Sequence, residues 1–187
     1  MPKIILASQS PRRRELLTSM GLEFDIIVPN VCEDLIDGLS PAEFAAELSR
    51  RKLNEVLESL EVVDDAVIIA ADTVVTIDGK ILGKPANEVE AFEMLKMLSG
   101  RRHSVITGLS VAIGAKVVTD FCETKVKFRD LTDGEIREYI KTGELFDKAG
   151  AYGIQGAAKD FVETYDGSYD NVVGLPTEML REIMNDL

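Results

Sequence analysis

Three consecutive arginines, Arg12, Arg13 and Arg14, follow the pair Ser10-Pro11. Ser10 suits a helix N-cap and Pro11 the first helical position, which puts the arginines in a first helical turn. That end of a helix carries partial positive charge, so cations there are unfavourable unless an anion is bound. Free amide N–H groups and guanidinium groups together form a phosphate-binding arrangement. The alternative is a solvated basic turn with Arg14 facing water. Asp72 is the second residue suited to chemistry. It ends Ala66-Val67-Ile68-Ile69-Ala70-Ala71, the most hydrophobic run of the chain. A carboxylate at the end of a central strand lies where α/β proteins place ligands, and a buried one needs pairing, hydrogen bonds or a metal. The alternative is a local turn capped with Thr73. Glu33, in Glu33-Asp34, could supply a second carboxylate, although acidic pairs also suit a solvated loop.

Lys52 shares one helix face with Leu48 and Val56, at a spacing of four. That face is partly apolar, so the ammonium either snorkels to its edge or meets an anionic ligand. Gly83-Lys84-Pro85 combines close backbone approach with a stiff exit and a second candidate phosphate partner in Lys84. In the segment Lys148-Ala149-Gly150-Ala151-Tyr152-Gly153-Ile154-Gln155-Gly156 three glycines recur at a spacing of three. Gln155 offers a donor and an acceptor, which suits the edge of a base; a tight structural corner is the other reading. His103 is the only histidine, which excludes a multi-histidine metal centre, and it reads as structural. No Walker, dinucleotide or nucleophile-elbow pattern is present.

These residues need a scaffold. Lys3 to Ala7 and Phe24 to Val28 read as strands, with a helix between them that Gly21 ends. A polar stretch, Pro29 to Leu39, precedes a long helix opened by the capping box Ser40-Pro41-Ala42-Glu43. Ala66 to Ala71 reads as a strand buried on both faces. Thr73 to Ile81 reads as a hairpin with Asp78-Gly79 at its tip. Helices are expected over Glu88 to Leu98 and Thr132 to Thr142, with strands over Ser104 to Val118 and Cys122 to Phe128. Late strand signals and a short helix finish the chain. Alternation of the two element types predicts an α/β fold with a mixed sheet, one domain over residues 1–187.

The 187 residues carry a net charge of −12. Such a protein repels nucleic-acid polymers but can hold one small anion where its basic residues converge. No apolar run approaches the about 20 residues that span a bilayer, and the segment before Arg12 is too short for a secretion signal. Cytoplasmic location is therefore expected, with Cys32 and Cys122 as reduced thiols rather than a disulfide or zinc site.

Six fragments carry a resemblance across nearly the whole chain. They are Ala7-Ser8-Gln9-Ser10-Pro11-Arg12-Arg13-Arg14-Glu15-Leu16-Leu17, Ala70-Ala71-Asp72-Thr73-Val74-Val75 and Gly83-Lys84-Pro85. The others run from Leu98 to Gly108, from Lys148 to Gly156 and from Gly167 to Pro176. In this order they resemble the Maf family of nucleotide pyrophosphatases. The resemblance implies a mixed sheet flanked by helices, Maf/ITPase-like, with a nucleotide cleft between two lobes, and a homodimer. It implies hydrolysis of a nucleoside triphosphate to the monophosphate and pyrophosphate with a divalent cation, Mg²⁺ or Mn²⁺. The family's catalytic aspartate falls on Asp72 and its substrate-selecting positions on Arg12, Thr73 and Gln155. Its other cleft residues fall on Ser8, Arg13, Lys52, Lys84 and Glu33. On that basis Asp72 is expected as general base and, with Glu33, as metal ligand, while Lys84 and the other cations stabilise the leaving pyrophosphate. The form Ala151-Tyr152-Gly153-Ile154-Gln155 looks like the branch acting on dTTP and UTP. Two other functions remain open at this point: a non-catalytic nucleotide sensor regulating cell division, and a pyrophosphatase for modified nucleotides.

Overall fold

The apolar run that begins at Ala66 does not stop at Asp72. In the computed structural model, which describes residues 2–60 and 66–186, one strand runs unbroken from Ala66 to Ile77. Asp72 therefore lies in mid-strand, not at a strand end, and caps no turn. The hairpin tip is where the sequence puts it: Asp78 and Gly79 adopt positive φ, and Ile77 pairs with Lys80. Its first strand is simply twice as long as the alternating segment alone suggests.

The elements in chain order are β1 (Lys3–Ala7), α1 (Pro11–Ser19), β2 (Asp25–Ile26), α2 (Pro41–Ser59), β3 (Ala66–Ile77), β4 (Lys80–Leu82) and α3 (Glu88–Leu98). They continue with β5 (Arg102–Ile113), β6 (Lys116–Phe128), α4 (Asp133–Lys141), β7 (Val162–Asp166), α5 (Tyr169–Val173) and α6 (Thr177–Asp186). The strands form one sheet in the order β2-β1-β3-β5-β6-β7, with β4 also on β3. β1 is parallel to both β2 and β3, and the remaining pairs are antiparallel. This is the expected mixed sheet. The second strand shrinks to Asp25–Ile26, because only Ile5 and Leu6 of β1 find partners there. The break between β5 and β6 lies at Gly114 and Ala115, where Gly114 takes positive φ, rather than near residue 120. Thr119 to Phe121 continue β6 as a mostly exposed strand.

Side chains alternate across β3. Ile68 and Ala70 pack with Leu53 and Val56 of α2, and Val74 with Phe44 and Leu48. Ile69 and Ala71 pack on the other face with Leu17 of α1 and Leu180 of α6. Further along, Val75 and Ile77 join a separate cluster with Leu95 of α3 and Ile136 of α4. Asp72 and Thr73 fall between these packing groups, and a cleft opens there.

α2 lies close on the sheet because small residues meet. A Cβ on Gly108 of β5 would stand 2.1 Å from the Ala45 carbonyl oxygen. One turn on, Ser49 Oγ is 2.8 Å from Ser110 Oγ. The helix starts where the sequence indicates: Ser40 and Glu43 form both halves of the capping box.

Candidate active site

β3 has a free edge at the place where Asp72 sits. On one side it pairs with β5 from Val67 to Thr76, and Asp72 lies opposite Gly108. On the other side β1 leaves the sheet at Ala7, opposite Ala70, and β4 joins only at Leu82, opposite Val75. The gap between them is the kind of crevice in which open α/β sheets bind ligands. A cleft of about 600 Å³ occupies it. All nine residues assigned by the sequence line this cleft: Ser8, Arg12, Arg13, Glu33, Lys52, Asp72, Thr73, Lys84 and Gln155.

Asp72 replaces an apolar residue on the face covered by α2, and Lys52 compensates it. Lys52 Nζ donates to Asp72 Oδ1 at 2.6 Å, and both side chains are only 10% exposed. The same ammonium stands 2.6 Å from Glu33 Oε1, and Lys84 Nζ is 3.5 Å from Glu33 Oε2. Burial pushes the Glu33 carboxyl upward, but hydrogen bonding and charge from Lys52 and Lys84 outweigh it and hold its pKa below the usual range. Among the described residues only Lys52 bonds the Asp72 carboxylate, which leaves Oδ2 open to a water.

Arg13 and Thr73 form the other wall. Arg13 Nε donates to the Gly174 carbonyl at 2.7 Å, and Nη2 donates to Thr73 Oγ1 at 3.1 Å. Nη1 reaches Ser8 Oγ at 3.4 Å. No carboxylate pairs with Arg13 among the described residues, and burial lowers its pKa while Asp72 partly restores it. A buried guanidinium held by neutral acceptors keeps its charge for an anion. The first turn of α1 adds backbone donors, because Ser10 makes no side-chain cap and its own N–H donates to Ser8 Oγ. Arg14 stands apart: its Nη2 donates back to the Gln9 carbonyl, and it does not line the cleft.

Several contributors carry no chemical signal in the sequence. Thr107 Oγ1 lies 2.9 Å from Thr73 Oγ1 and donates to the Asn171 carbonyl at 3.1 Å. Asn171 is fully buried, and its amide donates to Val105 O and Thr124 Oγ1. This relay places α5 and Gly174 beneath Arg13. Polar residues in a strand read as surface until the register is known. Asp147 also lines the cleft and pairs with Arg12.

His103 is structural, as the sequence indicates. It lies under the glycine-rich loop, with Nε2 2.7 Å from the Tyr152 hydroxyl and Phe128 edge-on to its ring. Burial lowers its pKa from 6.5 to about 4. The unfolded chain therefore binds this proton before the folded one does. The resulting stability is full above about pH 6.5 and is lost as pH falls towards about 4. Acidifying from about pH 7.5 to about pH 5 is expected to remove about 2 kcal/mol. Urea unfolding at the two pH values checks this, with His103→Asn expected to flatten the dependence. An equal slope in both proteins would contradict the assignment.

Cys32 and Cys122 are both free thiols, Cys32 exposed. No described helix is long and apolar enough to cross a membrane.

The Maf family model, that of the Maf-like proteins, matches residues 3–187. The chain belongs to the Maf family. Its relatives match end to end. A dTTP/UTP pyrophosphatase of Carboxydothermus hydrogenoformans is 52% identical over 184 residues, 97% of either chain. Another, of Caldicellulosiruptor saccharolyticus, is 47% identical over 190 residues, which is all of this chain and 96% of its own. Among solved structures the Ham1 protein of Staphylococcus aureus superposes with a TM-score of 0.54, 12% identity and 98% coverage of both chains. At that identity the likeness concerns the fold alone, the mixed α/β sheet with flanking helices.

Proposed function

We propose that this Maf protein hydrolyses dTTP and UTP, and modified pyrimidine triphosphates of the same shape, to the monophosphate and pyrophosphate. The observation that carries the proposal is Asp72, buried at the free edge of β3 with one oxygen bonded to Lys52 and the other open to the cleft. A protein that merely sensed a nucleotide would have no use for a carboxylate so placed.

The chemistry divides among the residues of the cleft. Arg13, the first turn of α1 and Ser8 take up phosphate oxygens. A water gives its proton to Asp72 Oδ2 and adds to phosphorus as the anhydride between the α- and β-phosphates opens. Lys52 and Lys84 offset the charge that develops on the departing pyrophosphate, and Arg12 grips the bound substrate at the cleft mouth. Gln155, on the rim of the cleft, pairs with the pyrimidine edge, and Thr73 supports the opposite wall.

A divalent cation fits the same place. Glu33 Oε1 and Asp72 Oδ1 both lie 2.6 Å from the Lys52 ammonium, so the two carboxylates stand close enough to share a cation beside it. No group of three or more His, Cys, Asp or Glu gathers among the described residues. Two carboxylates, with phosphate oxygens and water, form the donor set that Mg²⁺ takes at triphosphate sites. Glu33 and Asp72 would hold it, and bound there it would polarise phosphate oxygens and neutralise their charge.

Initial rates of pyrophosphate release from UTP, dTTP, CTP, GTP and modified pyrimidine triphosphates test the reading. UTP and dTTP are expected to lead; a preference for GTP would overturn it. Gln155→Ala is expected to lower the ratio of UTP to GTP rates by roughly five- to tenfold, one hydrogen bond's worth, while binding of the phosphates changes less. An unaltered ratio would remove Gln155 from base selection.

A further inference from the structure

The four cations that the sequence assigns to the cleft differ in what holds them. Lys52 and Lys84 sit against Glu33, and Arg13 sits against a carbonyl and hydroxyls. Arg12 alone of the four is held by a carboxylate from across the cleft mouth: its Nη1 donates to Asp147 Oδ2 at 3.0 Å. The other Asp147 oxygen accepts from Lys148 Nζ at 2.8 Å.

Asp147 stands on the turn between α4 and the loop that carries Gln155, and that turn is firmly built. Leu145 is fully buried, and the Lys148 N–H donates to its carbonyl. The Tyr139 hydroxyl donates to Ala151 O at 2.9 Å, and the Gly150 N–H donates to Gly83 O at 3.1 Å. The Asp147 carboxylate is thus fixed relative to Gln155, while Arg12 is fixed relative to the first turn of α1. Their contact joins the turn that leads to Gln155 to the first turn of α1.

Folding stability does not account for this pair. The Asp147 side chain is 59% exposed, and exposed ion pairs contribute little to stability. The contact engages one nitrogen of Arg12; among the described residues Nε and Nη2 make no other hydrogen bond, so one edge of the guanidinium stays available.

We propose that Asp147 is a positioning residue: it holds Arg12 across the cleft mouth with that free edge turned to the nucleotide, at a fixed distance from Gln155. The inference rests on the function proposed above. Without Asp147 the Arg12 side chain is free to rotate, and the substrate must order it on binding. The loss therefore belongs in binding and not in the chemical step.

The test is a double-mutant cycle with UTP: kcat and KM for wild type, Asp147→Ala, Arg12→Ala and the double variant, with Asp147→Asn alongside. Asp147→Ala is expected to raise KM about tenfold and to change kcat less than about threefold. On the Arg12→Ala background the same substitution is expected to move KM less than about twofold, because the residue it positions is gone. Asp147→Asn keeps an acceptor oxygen and should fall between wild type and Asp147→Ala; it also carries the test if the alanine variant does not fold. Additive effects, an unchanged KM or a loss confined to kcat would overturn the inference. If wild type releases no pyrophosphate, the functional reading fails instead, and dissociation constants for UTP across the same proteins still decide whether Asp147 acts through Arg12.

Discussion

Asp72→Asn lowers turnover by at least about a hundredfold, the lower end of what a general base contributes, and leaves the protein folded. The substitution keeps the shape of the side chain and its oxygen towards Lys52, but removes the basicity that takes a proton from water. Lys52 is not orphaned, because Glu33 Oε1 remains 2.6 Å from its ammonium. The larger danger to folding would be the converse change. Removing Lys52 leaves a carboxylate nine-tenths buried without its only hydrogen-bonding partner among the described residues, which costs about 3–5 kcal/mol in such pairs. Steady-state turnover with UTP, together with a thermal melt, separates the two effects. Near-normal turnover in a folded Asp72→Asn protein would remove Asp72 from the chemistry.

Gly108→Ala is expected to disable the site without touching any group that meets the nucleotide. The added Cβ would lie 2.1 Å from the Ala45 carbonyl oxygen and 2.3 Å from its carbon, both backbone atoms of α2. Backbone cannot rotate aside, so the helix must lift from the sheet. Overpacking of this kind costs about 1–3 kcal/mol. Lys52 rides on the same helix and meets Asp72, which stands opposite Gly108. A shift of about 1 Å at a catalytic group can cost about a hundredfold in rate. The melting temperature and the turnover of Gly108→Ala should therefore fall together. A stable variant with full turnover would show that the depth of α2 does not set the Lys52–Asp72 contact.

The sequence makes the outline legible because its local signals agree with the fold. Ser40 and Glu43 form the capping box they spell, Glu88–Leu98 is a helix to the residue, and Asp78-Gly79 turns the hairpin. What it conceals is long-range. A carboxylate after six apolar residues reads as the end of a strand, yet β3 continues, paired with β5 as far as Thr76, and Lys52 supplies the charge that a buried Asp72 needs. Glu33 lies in a polar stretch of no regular structure, and only the folded chain brings it to Lys52. Thr107 and Asn171 carry no chemical pattern at all; their roles come from the register of β5 and from α5 packing beneath Arg13. Asp147 is hidden for a similar reason, since its partner Arg12 lies 135 residues away. The motif residues themselves were legible through their resemblance to the Maf family. Their reason for converging on one cleft is the gap between β1 and β4.

The proposed reaction opens the anhydride between the α- and β-phosphates. Separating the products of UTP hydrolysis by wild-type protein tests it most directly. UMP and pyrophosphate are expected in equal amounts, with neither UDP nor free phosphate formed first. UDP and phosphate as the initial products would contradict it, since the cleavage would then lie at the terminal phosphate.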